Sequence, residues 1–412
     1  MLTQDLRGCA ISGASPEALE LYERALASLW LQRDPLQLAR QAIAAAPGFV
    51  AAHLLEANLL ACSRDPREFE AAGWAFARLR GLAMNRREAA HRAALAAAID
   101  GDLAGARRLY DGILEEEPRD ALALWVAQTM DYYLGNAQAL RDRPARVLPG
   151  WPASLPGYHA LVAMHAFGLA ECGDYAAAEA AALRALELEP RDVRAEHALL
   201  HVLEMQGRAA EGLRRPVKHP VNHVWWHRAL FYLQRDLVGE ALAIYDRRMR
   251  LDALAELIDA SALLWRLRLA GVDVGERFQP LAAHWSQHAE DAYCAFNDLH
   301  AMMAFAGAAR WDCAQRLLAA QVRRVARSAG ANHDMTRLVG YPACRALAAF
   351  GRGDFRGAEA LLRSLPPVAH RIGGSHAQRD VLILTRAAAL RRSQIPQGDL
   401  HASFVPQGLA AA

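Results

Sequence analysis

One short segment of the sequence has polar residues at a spacing that is typical of a metal-binding or catalytic site: His197-Ala-Leu-Leu-His201-Val-Leu-Glu204. Spacings of four and three residues place His197, His201 and Glu204 on one face of a helix. Two imidazoles one turn apart with a carboxylate nearby form half of a site for a divalent metal ion. The same groups could provide a general base and its orienting acid, or they could line a solvated groove or bond within the fold.

A second pair of histidines follows in Asn222-His223-Val-Trp-Trp-His227. His223 and His227 share a face if a helix begins near Asn222, which is a candidate N-cap residue. Trp225 and Trp226 would then supply apolar walls to a ligand pocket.

Further polar groups occur singly and in two clusters. His165 stands alone at a repeat position that usually packs against a neighbouring helix, which favours a core role over a ligand. The clusters are Asn297-Asp298-Leu-His300 and Ser375-His376-Ala-Gln378-Arg379-Asp380. Because Ser375 follows two glycines, we expect it to cap a helix.

The elements that position these residues are indicated by repeated Gly-Asp pairs, at 101–102, 173–174 and 353–354. Glycine accepts the left-handed conformation that ends a helix, and aspartate caps the next one. Further glycines at 135 and 207 follow Gly101 and Gly173 by 34 residues, the period of tetratricopeptide repeats. The sequence therefore predicts an all-α fold, a tetratricopeptide-like α-solenoid of stacked antiparallel helix pairs curled around a concave face.

No stretch shows the alternation of a β-strand, and no linker divides the chain. We expect one helical-repeat domain over residues 1–393 and an irregular tail over 394–412, which contains two prolines and two glycines. Counted from the repeat marks, His197, His201 and Glu204 occupy positions that line the concave groove in proteins that these repeats resemble. The matching positions of the preceding unit include Trp125 and Tyr132, which we expect to form part of the pocket wall.

Composition excludes several classes of protein. The net charge is +2 and no dense basic run occurs, which argues against nucleic acid as a partner. No apolar run approaches the length of about 18 residues that a membrane helix needs. The six cysteines form no CxxC pair, so we expect buried thiols in the cytoplasm. An exposed solenoid end is compatible with a homo-oligomer.

Several segments in order resemble the tetratricopeptide repeat protein 38 family: MHAFGLAECGDY, EHALLHVLEMQGR, NHVWWHRALFYL, FNDLHAMMAFAGA, VGYPACRALAAFGRGDF and GGSHAQRD. The resemblance covers residues 45–393 and is clearest from 155 to 385. It implies a helical-repeat fold and a shared set of site residues, without defining a reaction: His165, His197, His201, Glu204, His223, His227, Asp298, His300, His376, Gln378, Arg379 and Asp380.

Two functions are compatible with these residues. One is a binding protein that holds a small molecule or peptide in a concave pocket lined by histidines, acids and aromatic rings. The other is a small-molecule enzyme, such as a metal-dependent hydrolase or oxidase, with its active site in the same cavity. Fold alone does not decide between them.

Overall fold

The computed structural model describes residues 2–217, 221–327 and 329–394, and these are predominantly helical. The predicted all-α class is therefore confirmed. The residues up to Val202 form one compact unit and those from Leu203 form another. The predicted irregular tail lies outside the described residues, apart from Gln394 directly after the last helix.

The first unit is built from consecutive helices that pack against each other, as α5 does on α6 and α9 on α10. Connections of a few residues force such packed neighbours to run antiparallel. The last helix, α11, continues for three residues beyond Val202. The helices are Pro16–Trp30 (α1), Leu36–Ala45 (α2), Val50–Ala61 (α3), Pro66–Ala77 (α4), Arg86–Ile99 (α5), Leu103–Glu116 (α6), Ala121–Leu134 (α7), Ala137–Val147 (α8), Tyr158–Glu171 (α9), Tyr175–Leu188 (α10) and Val193–Met205 (α11).

The second unit repeats this pattern, with α13 packed on α14 and α20 on α21. A π-helical turn at Thr336–Gly340 precedes α20. The helices are Ala209–Arg214 (α12), Asn222–Gln234 (α13), Val238–Arg248 (α14), Leu254–Leu269 (α15), Phe278–Trp285 (α16), Ala295–Gly307 (α17), Trp311–Arg327 (α18), Ala331–Met335 (α19), Tyr341–Gly351 (α20), Phe355–Leu362 (α21), His376–Arg379 (α22) and Val381–Ser393 (α23).

The three Gly-Asp pairs adopt the geometry that the sequence predicts. Each glycine has φ of +82° or +85°, where a side chain would be strained. Each aspartate accepts a hydrogen bond of 2.8–3.3 Å from the backbone N–H three residues later, which caps the following helix. In the helix that follows each pair, Ala106, Ala178 and Ala358 are completely buried, so neighbouring helices approach closely.

Each unit has its own hydrophobic core. The core of the first unit contains many alanines and leucines around Tyr22, Phe49 and Tyr110. The core of the second unit is built around larger rings, among them Trp265 and Trp285. Trp285 donates to the buried Ser261 hydroxyl at 2.9 Å, and Trp265 to the Thr385 hydroxyl at 2.9 Å, so these indoles are buried with their polar atoms bonded.

Two three-residue strands, Leu2–Gln4 (β1) and Ala10–Ser12 (β2), pair antiparallel at the N-terminus. The sequence indicated no strand, because three residues are too few to show alternation. The hairpin is tied to α5, since Asn85 and Arg87 both donate to the Ala10 carbonyl. Among the described helices, none is both long and apolar enough to cross a bilayer.

Candidate metal centre

Helix α11 presents His197 and His201 on one face, as the four-residue spacing predicts. Their Nε2 atoms lie 2.8 Å apart, and the two rings meet edge to face with centroids 4.4 Å apart. His201 is buried and His197 is partly exposed. Two imidazole nitrogens at this distance either share one proton as donor and acceptor or direct both lone pairs at a common ligand.

An aromatic wall stands beside this pair in the first unit. The Phe167 ring stacks on His197 at 5.5 Å and meets His201 edge-on at 5.4 Å. Tyr132 continues the wall, with its ring 6.0 Å from Phe167. Tyr132 was predicted as part of a pocket wall, whereas Phe167 was not singled out. Trp125, which was predicted as a wall residue together with Tyr132, packs against the hydrophobic core of the first unit.

Helix α13 begins at Asn222, where the sequence places its start, but Asn222 does not cap it. The N-cap position is Val221, and the Asn222 amide donates to the Arg250 carbonyl at 3.2 Å. His223 and His227 lie one turn apart on this helix with ring centroids 5.0 Å apart. The helix therefore presents its two imidazoles side by side, as predicted.

A buried carboxylate lies within hydrogen-bond distance of the Nδ1 atom of each of these two rings. Nδ1 of His227 lies 2.7 Å from Glu204, and Nδ1 of His223 lies 2.8 Å from Asp259. An ionised carboxylate can only accept, so in that state it keeps the proton of the ring on Nδ1, and a neutral ring then has its lone pair on Nε2. Carboxylates orient metal-binding histidines in this way.

Burial shifts the ionisation of these groups in different directions. It raises the pKa of Glu204 to about 7 and lowers the pKa of His227 well below its ordinary value, with the charges of His223 and Arg266 adding to the second effect. For His223, burial opposes the charged form, but the Asp259 carboxylate outweighs it and raises the pKa. His227 is thus a neutral imidazole, the form that can ligate a metal.

The helices α11 and α13 together carry a histidine cluster. One ligand atom from each of His197, His201, His223 and His227 lies within 4.8 Å of the other three. The sequence grouped the first two with Glu204 as a metal half-site. In the structure Glu204 instead bonds to a cluster histidine, which makes it a neighbour of the four imidazoles.

In the second unit, Trp226 lies between His223 and an ion-paired arginine. Its ring stacks on His223 at 5.1 Å, with 9° between the planes, and the Arg266 guanidinium lies 5.2 Å from its centre. Arg266 bonds to the Asp380 carboxylate and to the Ala377 carbonyl. Asp380 is about half exposed, and it is the predicted site residue that this pair brings beside the histidines.

The predicted residues around Ser375 form a structured turn. Ser375 caps α22, as expected, and its backbone N–H donates to the Gln378 side chain at 3.0 Å. Arg379 donates to the Gly374 carbonyl. The hydrogen bonds of Gln378 and Arg379 stabilise this turn. The turn positions the Ala377 carbonyl and the Asp380 carboxylate next to Arg266.

His300 contacts Phe296, and Phe296 packs against the same turn. Nδ1 of His300 lies 2.7 Å from the Phe296 carbonyl, and the His300 ring is 4.5 Å from the Phe296 ring. Phe296 packs against Gly374, where an added Cβ would lie 2.4 Å from the ring. Only glycine fits there, and its φ of +78° also favours glycine.

Asp298 belongs to a separate polar contact inside the second unit. It accepts from the Gln321 amide at 2.9 Å, and that amide lies 3.5 Å from the Cys344 sulfur. Burial raises the pKa of Asp298 to about 7. This carboxyl is therefore bonded to α18, and the neighbouring thiol comes from α20.

Three other predicted residues lie at different places. His165 is half-buried, and burial with the charge of Arg141 on α8 lowers its pKa. His376 is exposed at the start of α22. Trp225 is partly buried against the core of the second unit, and the Arg248 guanidinium lies 4.5 Å from its ring centre.

Two residues of the site were missed from the sequence, Asp259 and Arg266. Both lie on α15 in the otherwise apolar run LIDASALLWRL, seven residues apart and therefore on one face. Two buried charges on an apolar helix need partners, and this was the signal that could have identified them.

No protein-family model matches the chain. What the cluster binds has to be inferred from its own geometry and donor atoms.

Proposed function

We propose that this protein binds a divalent transition-metal ion through His197, His201, His223 and His227. The observation that carries the proposal is the mutual distance of the four ligand atoms, all within 4.8 Å. Four nitrogens at about 2.0–2.1 Å from a tetrahedral ion stand about 3.3 Å from one another. The imidazoles need only small movements to reach that geometry.

The donor atoms indicate the class of ion. Imidazole suits zinc, copper, iron, cobalt and nickel, whereas magnesium and calcium prefer oxygen. The Glu204 and Asp259 carboxylates support this class further, because each accepts from the Nδ1–H of a proposed ligand. Their negative charge also offsets part of the charge of the ion.

With four protein ligands, a tetrahedral ion has no open position, which favours binding over catalysis. We therefore infer a binding protein whose pocket of histidines, acids and aromatic rings holds the ion together with a small-molecule or peptide partner. The resemblance to the tetratricopeptide repeat protein 38 family remains part of this proposal. So do a cytoplasmic location and a homo-oligomeric assembly.

A metal-dependent hydrolase or oxidase is the second candidate. It is favoured by Asp380, whose half-exposed carboxylate pairs with Arg266 next to Trp226 and so offers an acid that a substrate could reach. An enzyme needs an open coordination position, so with all four histidines bound the ion would need a fifth or sixth ligand. The visible spectrum of the cobalt-substituted protein separates the two, since tetrahedral cobalt absorbs strongly and octahedral cobalt weakly.

The experiment for metal binding is a zinc titration by calorimetry on protein freed of metal. We expect one equivalent to bind, and His201→Ala and His227→Ala each to weaken binding at least 100-fold. His165→Ala is the matched control, because that histidine lies outside the cluster, and it should bind as the wild type does. Equal zinc affinity in all four proteins, each still helical by circular dichroism, would rule the proposal out.

A further inference from the structure

The first unit contains a second candidate site, in a cleft of about 460 Å³. Its walls come from Leu6 and Arg7 near the N-terminus, from α1 and Leu31 after it, from residues 153 and 155–159, and from the end of α10 with the residues directly after it. The volume falls within the range of about 300–1,000 Å³ that is usual for small-molecule sites. None of the histidines of the metal cluster lines it.

Arg7 is one of the lining residues, and two carboxylates hold its guanidinium. Its Nη2 donates to both oxygens of Glu23 at 2.7 and 2.8 Å, and its Nε donates to Asp5. The side chain is fully buried. Among the described residues, Nη1 has no hydrogen-bond acceptor. Buried donors of charged groups are almost always hydrogen-bonded, so we expect a ligand to supply the acceptor for this nitrogen.

A second donor in the same cleft is also without an acceptor in the described part of the chain. This is Nε1 of Trp30, whose side chain is buried. Gly157 lies against it, and a Cβ at that position would stand 2.6 Å from Nε1. Gly157 has φ of +92°, so glycine satisfies both the close approach and the backbone conformation.

The unsatisfied groups of the cleft are therefore donors, and its charges are balanced. Three cations and three anions line it, and so a net anion gains no advantage over a ligand that carries both charges. Apolar walls of Leu26, Leu31 and Leu155 complete the lining. The charged residues are Arg7, Arg24, Arg191, Glu20, Glu23 and Glu189.

We infer that this cleft binds an amino acid or a dipeptide with an apolar side chain. Its carboxylate accepts hydrogen bonds from Arg7 and Trp30, its ammonium group faces the glutamates, and its side chain lies on the leucines. This site is independent of the metal centre, because the two share no residue.

The test is calorimetric titration of the full-length protein with L-leucine and glycyl-L-leucine. The comparison compounds are 4-methylpentanoate, which lacks the ammonium group, and 3-methylbutylamine, which lacks the carboxylate. We expect at least one of the first two to bind, and each comparison compound to bind at least 10-fold more weakly. If neither L-leucine nor glycyl-L-leucine binds at 10 mM, the inference is wrong.

A blocking variant assigns any binding to the cleft. Ala153 is an exposed residue of its lining, so Ala153→Trp fills the cleft without disturbing the core. The neighbouring Ser154 is exposed and is not part of the lining, which makes Ser154→Trp the matched control. We expect Ala153→Trp to abolish binding and Ser154→Trp to retain it; equal binding in the two variants would place the ligand elsewhere.

Discussion

The Glu204 carboxylate lies 2.7 Å from Nδ1 of His227, and neither side chain is open to solvent. A buried acid in contact with a buried imidazole is stable only when its hydrogen bond is kept. The pair also fixes the direction in which the other nitrogen of the ring points. This contact therefore connects the stability of the second unit to the proposed metal centre.

Replacing Glu204 with glutamine should weaken zinc binding by about 10–100-fold, the usual effect of changing a group that orients a metal-binding histidine. The amide keeps the volume and one acceptor, so the metal-free protein should melt within a few degrees of the wild type. Zinc affinity by calorimetry and melting temperature by circular dichroism check both statements. Unchanged affinity would mean that Glu204 does not act through His227.

Asp259→Asn tests the corresponding contact at His223. The ring loses a charged acceptor 2.8 Å from Nδ1, and we expect zinc affinity to fall by about 10–100-fold. Asp246→Asn is the control, because Asp246 forms an exposed ion pair with Arg277 on the same unit. If the two variants bind zinc alike, Asp259 has no part in positioning the ligand.

Asp298 should make the stability of the protein depend on pH. Burial raises its pKa in the folded protein to about 7, above its ordinary value of 3.8. The folded state therefore holds this proton more tightly than the unfolded chain does, and stability falls as the pH rises from about 4 to 7. The difference corresponds to as much as about 4 kcal/mol above pH 7, from 1.36 kcal/mol per pKa unit.

Urea denaturation at pH 5 and pH 8 measures this effect. Asp298→Asn cannot ionise, so the loss of stability between the two pH values should be smaller in this variant than in the wild type. The exposed Asp142→Asn should leave that loss unchanged within about 0.5 kcal/mol. The same pH dependence in wild type and Asp298→Asn would show that Asp298 does not ionise in this range.

Replacing glycine with alanine should have opposite effects on stability at two positions. Gly168 on α9 lies against the backbone of α8, where a Cβ would stand 2.3 Å from the Leu140 carbonyl oxygen. Gly168→Ala should therefore destabilise the protein by about 1–3 kcal/mol. Gly112 is exposed on α6 with nothing within 4 Å of its Cβ position, so Gly112→Ala should stabilise it by about 0.5–1 kcal/mol. The urea midpoints of the two variants should move in opposite directions, and movement in the same direction would contradict the close packing of α8 and α9.

The paired helices were predictable from the sequence because the residues that end one helix and begin the next are local. Gly101 and Asp102 end one helix and begin the next through their own backbone and side chain, and the same holds at residues 173–174 and 353–354. His197 and His201 were predictable for the same reason, since one helix fixes their spacing. These features need no knowledge of distant residues.

The partners of the histidines were not predictable in this way. Asp259 lies 36 residues after His223, and Arg266 lies 114 residues before Asp380. Helical periodicity places a side chain on a face but does not say which helix meets that face. For that reason the sequence grouped Glu204 with its neighbours on α11, whereas its bond is to His227 on α13.

X-ray absorption at the zinc edge of the protein loaded with one equivalent of zinc tests the proposed centre most directly. We predict four nitrogen ligands at about 2.0–2.1 Å, with the outer-shell scattering of four imidazole rings. One histidine ring should be lost from this pattern in His227→Ala. A spectrum with sulfur ligands, or with fewer than three imidazole rings in the wild type, would contradict the four-histidine centre.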